Sequence, residues 1–174
     1  MSAARRLSFD PIRRAADQWR ARWGEQSPYA AMASATSIMR AQQILLADLD
    51  AALAPFNLTF ARYEALVLLT FSRADGLPMS KVGERLMVHP TSATNIVQRL
   101  AAQGLVERLP NPRDGRGALA RITDEGRRVM EEATSALHAI EFGLAALDER
   151  EHRELFDLLH KLRVHRGDFV SETD

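Results

Sequence analysis

The chain has 174 residues, 46% of them hydrophobic, a formal charge of zero and no cysteine. That length suits one ordinary domain, or one core with an attached association element, and the missing cysteine excludes disulfides, thiol redox sensing and thiolate metal sites. No run of about 18 apolar residues could span a membrane, and no apolar leader with a cleavage site opens the sequence, so it reads as cytoplasmic.

After a tail over residues 1–9, residues 10–23 (DPIRRAADQWRARW) predict an amphipathic helix. Asp10 stands at its cap and Pro11 at its first position. Ile12, Ala15, Ala16, Trp19 and Trp23 fall on one stripe with arginines opposite. Gly24 ends it, and Ser27-Pro28 opens a long helix over 29–54 in which Met32, Ile38, Leu45, Leu49 and Leu53 face a partner; Pro55 stops it. A third helix over 60–72 carries Leu66, Val67, Leu68 and Leu69 and reads as central to the core.

Ser80 then caps a short helix over 80–87, and Pro90 starts another that runs to Gln103, with Gly104 as its stop. Leu105, Val106 and Leu109 mark one strand; Ala118, Leu119 and Ile122 mark a second. Their connection, PNPRDGRG, has the turn chemistry of a hairpin tip. Thr123, Asp124 and Glu125 cap a helix to about 146 and place acids in its first turn. Asp148 and Glu151 have capping-box spacing for a last helix to about 166, followed by a tail over 167–174. The expected fold is mainly α with a small β-hairpin wing. A winged helix-turn-helix lobe (55–125) lies between N-terminal helices (10–54) and C-terminal helices (126–166), which supply a helical dimerisation lobe. Leu137, Ile140, Leu144 and Leu147, then Leu155, Leu158, Leu159 and Leu162, form apolar stripes in excess of what one small lobe needs, and this favours a homodimer.

The zero net charge hides an uneven distribution. Residues 81–128 carry 9 basic and 5 acidic side chains, whereas residues 129–174 carry 5 and 11. No Asp or Glu occurs between Glu84 and Glu107. On helix 90–103, Ala93, Ile96, Val97 and Leu100 make the inward face. Thr91, Ser92, Thr94, Asn95, Gln98 and Arg99 face away, and these are the donors, acceptors and methyl groups that read base edges. An ordinary solvated helix would mix Glu and Lys there. Ser80, Lys81 and His89 lie beside this face as further DNA-contact candidates. In the hairpin tip, Arg113 and Arg116 suit a minor groove, and Asp114 is expected to pair with an arginine and hold the tip in shape. The expected partner is therefore double-stranded DNA.

These segments together resemble the MarR family of bacterial winged helix-turn-helix repressors. The resemblance rests on HPTSATNIVQRLAAQGLVER, on the wing Asp-x-Arg at Asp114 and Arg116, and on ARITDEG leading into a long helix. The family's wing usually reads Asp-Arg-Arg, and Gly115 replaces the middle arginine here. The resemblance implies an obligate homodimer, palindromic operator DNA, and release by a small molecule bound between the two lobes. The added N-terminal helix resembles that of the urate-responsive branch, and Trp19 matches its tryptophan and Arg116 its wing arginine. Glu64 stands where that branch has Asp and Asn95 where it has Arg, so the cation that an anionic purine needs is missing. The expected effector is a small aromatic or anionic molecule, in a cleft lined by Trp19, Ile38, Gln42, Tyr63, Glu64 and Phe71.

Other functions leave weaker marks. His152, His160 and His165 are eight and five residues apart on the last helix and do not share a face, so no metal site is expected, nor any cofactor. No Gly-rich phosphate loop, His-Glu-x-x-His helix or catalytic Ser/His context occurs, so the chain is not expected to be an enzyme. A winged helix that binds only protein would show an acidic or apolar recognition face. A ligand-independent DNA-binding protein stays open at the level of sequence.

Overall fold

A computed structural model of the chain describes residues 7–72, 76–112 and 117–169. Most of the two expected tails, and the wing-tip residues Arg113, Asp114 and Arg116, lie outside the described residues. The chain divides into two compact units, Met1–Ala51 and Ala52–Asp174.

The first unit holds α1 (Pro11–Trp23) and most of α2 (Tyr29–Leu53). The Asp10 carboxylate accepts from the amides of Ile12 and Arg13 and so satisfies two of the N–H groups that a helix start leaves unpaired. α1 buries none of its side chains; Trp19 and Trp23 lie against each other with ring centroids 4.3 Å apart and planes tilted by 42°. On α2, Ile38, Met39, Ile44 and Leu46 are exposed.

The second unit is built around α3 (Phe60–Thr70), which packs against α4 (Met79–Arg85), α5 (Pro90–Ala102), α6 (Asp124–Ala139) and the sheet. Leu66 and Leu69 of α3 are buried as expected, with Val82 of α4, Val97 and Leu100 of α5 and Leu137 of α6. The sheet is antiparallel in the order β1 (Leu77–Pro78), β3 (Ala118–Ile122), β2 (Val106–Pro110). The hairpin pairs Val106 with Ile122 and Pro110 with Ala118. β1 leaves no signal in the sequence: two residues are too short to show alternation, and only their register against Leu119 and Ala120 makes them a strand.

Two helix ends differ from expectation. Ser80 does not cap α4, because the extended chain of β1 runs straight into the helix; Pro78 takes the cap position and Ser80 falls inside the first turn. α6 ends at Ala139, short of 146, because Glu141, Phe142 and Gly143 all have positive φ. Leu144 and Leu147 therefore leave the stripe of Leu137 and sit in the turn before α7 (Glu149–His165). That helix opens on the expected reciprocal box: Asp148 accepts from the Glu151 amide at 2.8 Å, and Glu151 accepts from the Asp148 amide at 2.9 Å.

The junction of α5, the wing and α6 is tightly specified. Gly104 (φ +74) ends α5, and the Leu105 amide turns back to the Leu100 carbonyl at 3.0 Å. The Thr123 hydroxyl donates to the Gly104 carbonyl at 2.8 Å and accepts from the Gly126 amide at 2.9 Å, capping α6 while holding the end of α5. The Thr123 amide donates to the Leu105 carbonyl at 3.1 Å. A Cβ on Gly126 would be driven into that same Leu105 carbonyl. Gly126→Ala is thus expected to cost about 3 kcal/mol, since backbone and not a flexible side chain would have to move. Thr123→Ala is expected to cost about 1–2 kcal/mol through the lost cap. Both are read as shifts of the urea midpoint.

Candidate nucleic-acid interface

The helix-turn-helix pair is α4 and α5, joined through Met87, whose φ of +53 makes the tight reversal. Gly83 lies buried where α4 packs on α5, and a Cβ there would meet the Ala93 methyl at an ordinary contact distance of 3.5 Å. α5 is anchored by Ala93, Val97 and Leu100, all essentially buried. These positions fix the rotation of the helix. Thr91, Ser92, Asn95, Gln98 and Arg99 are exposed in consequence, and Thr94 is half-buried with its hydroxyl donating to the Pro90 carbonyl at 3.0 Å. Ile96, placed inward by periodicity, is only half-buried. His89 is the N-cap: its Nδ1 accepts from the Thr91 amide at 3.3 Å, an arrangement that turns the imidazole back onto the helix start.

Ser80 and Lys81 are exposed on α4, but the Lys81 ammonium is already held by Glu84 at 2.7 Å. On the wing, Arg121 and Glu107 form a cross-strand ion pair at 2.8 Å. The Asn111 amide donates to the Gly117 carbonyl at 3.1 Å and closes the ladder on the residues flanking the tip.

A residue that sequence reasoning did not single out stands beside α5. Arg62, in the first turn of α3, lines an open cleft of about 410 Å³ with Thr59, Ser92, Asn95, Ile96 and Arg99. Its Nε donates to the Thr59 hydroxyl at 3.2 Å and its Nη1 to the Asn57 carbonyl at 3.0 Å. A second cleft, of about 440 Å³, lies at the wing base between Leu69, Glu107, Ala120 and Arg127.

The expected effector residues divide between the units. Trp19, Ile38 and Gln42 are exposed in the first unit. In the second, Tyr63 belongs to the core: it is buried, and its hydroxyl shares a hydrogen bond of 2.9 Å with Thr134 of α6. Phe71 is 79% exposed. Glu64 is exposed at its surface, yet partial desolvation by its neighbours raises its carboxyl above the usual range. Neither cleft is lined by Tyr63, Glu64 or Phe71. Among the described residues no three His, Asp or Glu side chains come together where they could hold a metal ion.

A helix-turn-helix followed by a two-stranded hairpin, with an exposed polar helix face free of carboxylates, defines a winged helix-turn-helix protein. A MarR family model matches residues 56–117. The structure of Sco5413, a MarR family transcriptional regulator from Streptomyces coelicolor, is similar with 61% identity and a TM-score of 0.75, covering 80% of this chain and 97% of that one. A cysteine-to-serine variant of MarR from Escherichia coli, complexed with operator DNA, aligns with 27% identity and a TM-score of 0.66, over 74% of this chain and 91% of that one. The HTH-type transcriptional regulator TtmR of Methylorubrum extorquens is 30% identical over 135 residues, which is 78% of this chain but 64% of TtmR, so this chain spans just under two thirds of that relative. The chain belongs to the MarR family of transcriptional regulators.

Proposed function

We propose that the chain is a homodimeric repressor that reads palindromic operator DNA and is released by a small aromatic or anionic effector. In this reading it performs no catalysis. α5 enters the major groove and the wing tip carrying Arg113 and Arg116 lies against the minor groove. The observation that carries the reading is the exposed face of α5, where Thr91, Ser92, Asn95, Gln98 and Arg99 stand clear of any carboxylate from Arg85 to Val106. Operator DNA in the structure of the Escherichia coli relative supports it. Homodimerisation is supported by apolar surface that one chain leaves uncovered: Phe156 is 62% exposed and Leu158 68% exposed on α7, beside Leu155 and Leu162. No single helix among the described residues is long and apolar enough to cross a membrane.

The test is binding of the purified protein to its own upstream intergenic DNA, titrated against salt and against random duplex. Selective binding of one dimer per site, weakening steeply with salt, is expected; equal binding to both duplexes at all salt concentrations overturns the operator reading. Asn95→Ala and Gln98→Ala should each relax preference at one position per half-site by roughly 1–3 kcal/mol, whereas Arg116→Ala should weaken binding to all sequences alike. Leu158→Glu should convert a species of twice the 19.4 kDa chain mass into a monomer by light scattering and abolish tight operator binding. A dimer that persists unchanged would remove α7 from the interface.

A further inference from the structure

The cleft between the first turn of α3 and the flank of α5 holds two guanidiniums, an amide and two hydroxyls, from Arg62, Arg99, Asn95, Thr59 and Ser92. Among the described residues that line it there is no carboxylate. Arg62 and Arg99 come from helices far apart in sequence, and α3 packs directly on α5. Like charges placed in one open cleft repel each other unless an anion lies between them. Arg62 is moreover not a loose surface cation. Two of its N–H groups are tied to Thr59 and to the Asn57 carbonyl, so its plane is fixed and half-buried, and its remaining N–H groups are left for a ligand. Gln103 reaches the same Asn57 carbonyl from the end of α5 at 3.3 Å, which locks the turn before α3 to the recognition helix.

We propose that Arg62, together with Arg99, binds a backbone phosphate of the operator at the edge of the major groove that α5 occupies. The anion comes from DNA because the cleft shares Ser92, Asn95 and Arg99 with the exposed face of α5. A duplex lying along that face presents its phosphates at the rim, where Arg62 stands. A planar, preset guanidinium suits a phosphate bidentately. Arg62 is then a positioning residue: it fixes how α5 sits in the groove and carries no base information. The inference rests on the DNA-binding reading above.

The experiment compares wild type, Arg62→Gln and Arg62→Lys by fluorescence anisotropy on operator and random duplexes over a range of salt. Wild type is the control for the parent reading: if it binds neither duplex at low salt, DNA binding itself fails. If wild type binds, Arg62→Gln is expected to weaken both duplexes by the same factor, about tenfold. It should also lower the slope of log affinity against log salt by about 2 for a dimer that carries the change twice. Arg62→Lys should restore the slope, because it keeps the charge. An unchanged slope and affinity for Arg62→Gln overturns the inference. So does a loss of thermal stability with no change in slope, since that would mark a purely structural role. A methylphosphonate walk along the operator, with wild type and Arg62→Lys, decides the matter without Arg62→Gln should that variant fail to fold. One neutralised phosphate per half-site must weaken wild type and lose part of its effect in the lysine variant, which keeps the charge but not the bidentate fork; no such position overturns the assignment.

Discussion

The junction where α5, the wing and α6 meet depends on one hydroxyl and one missing methyl. Thr123 joins the Gly104 carbonyl, just past the end of α5, to the Gly126 amide in the first turn of α6 through a single oxygen that donates to one and accepts from the other. Gly126 lets α6 lie directly on the Leu105 backbone. Because β3 ends at Ile122, the residue before Thr123, the same junction fixes where the hairpin leaves the body of the unit. Recognition helix, wing and long helix therefore have their mutual angles set within a few residues, by backbone contacts that tolerate little adjustment. The Thr-x-x-Gly spacing in ARITDEG is the sequence expression of that constraint: a cap residue needs its partner amide three positions on, and here that position must also have no side chain.

The rotation of α5 about its own axis follows from packing and not from any polar contact. Ala93, Val97 and Leu100 are sunk against α3 and α4. What remains outward is determined by elimination at 100° per residue. This makes the polar face a property of the core. Any change that shifts Val97 would re-aim Asn95 and Gln98 without touching them. The electrostatics are local in the same sense. The chain has no net charge, yet the stretch between Glu84 and Glu107 carries Arg85 and Arg99 and no carboxylate, and the ion pairs near it, Lys81 with Glu84 and Arg121 with Glu107, sit on the neighbouring elements. Long-range attraction to DNA is weak for such a molecule, and affinity must come from contacts within a Debye length of the groove.

Much of this was legible in the residues because it is local. Asp10 and Pro11, Gly104, Thr123 and the Asp148–Glu151 box are end signals whose mechanism acts within four residues, and each element they bound is where they place it. The buried trio of α5 followed from helical spacing. Three features were not legible. β1 exists only through its pairing with β3, and two residues hold no periodicity. The early end of α6 is made by Glu141 and Phe142 in left-handed conformation, which neither side chain signals; only Gly143 hints at it. Arg62 gave no motif, since its importance lies in the neighbours that folding brings to it from α5. Tyr63 is a related case. An aromatic with a hydroxyl reads equally well as a ligand contact or as a core residue, and its partner Thr134 is 71 residues away.

The uncovered apolar surface of α7 bears on the same balance. A single α5 offers a few polar contacts, and with so little net charge behind it one copy would hold DNA weakly. Two copies joined at a fixed separation make the second half-site contact effectively intramolecular. The gain is largest when the separation matches one turn of DNA and vanishes when geometry forbids both contacts. In the proposed dimer, affinity for an operator then depends steeply on the spacing between two recognition helices, a quantity set by the dimer contact and not by any residue that touches DNA. An effector acting on such an assembly need not compete for the groove. In the proposed dimer, a displacement of one helix by a fraction of a turn, driven by differential binding to one spacing over another, would exchange two half-site contacts for one.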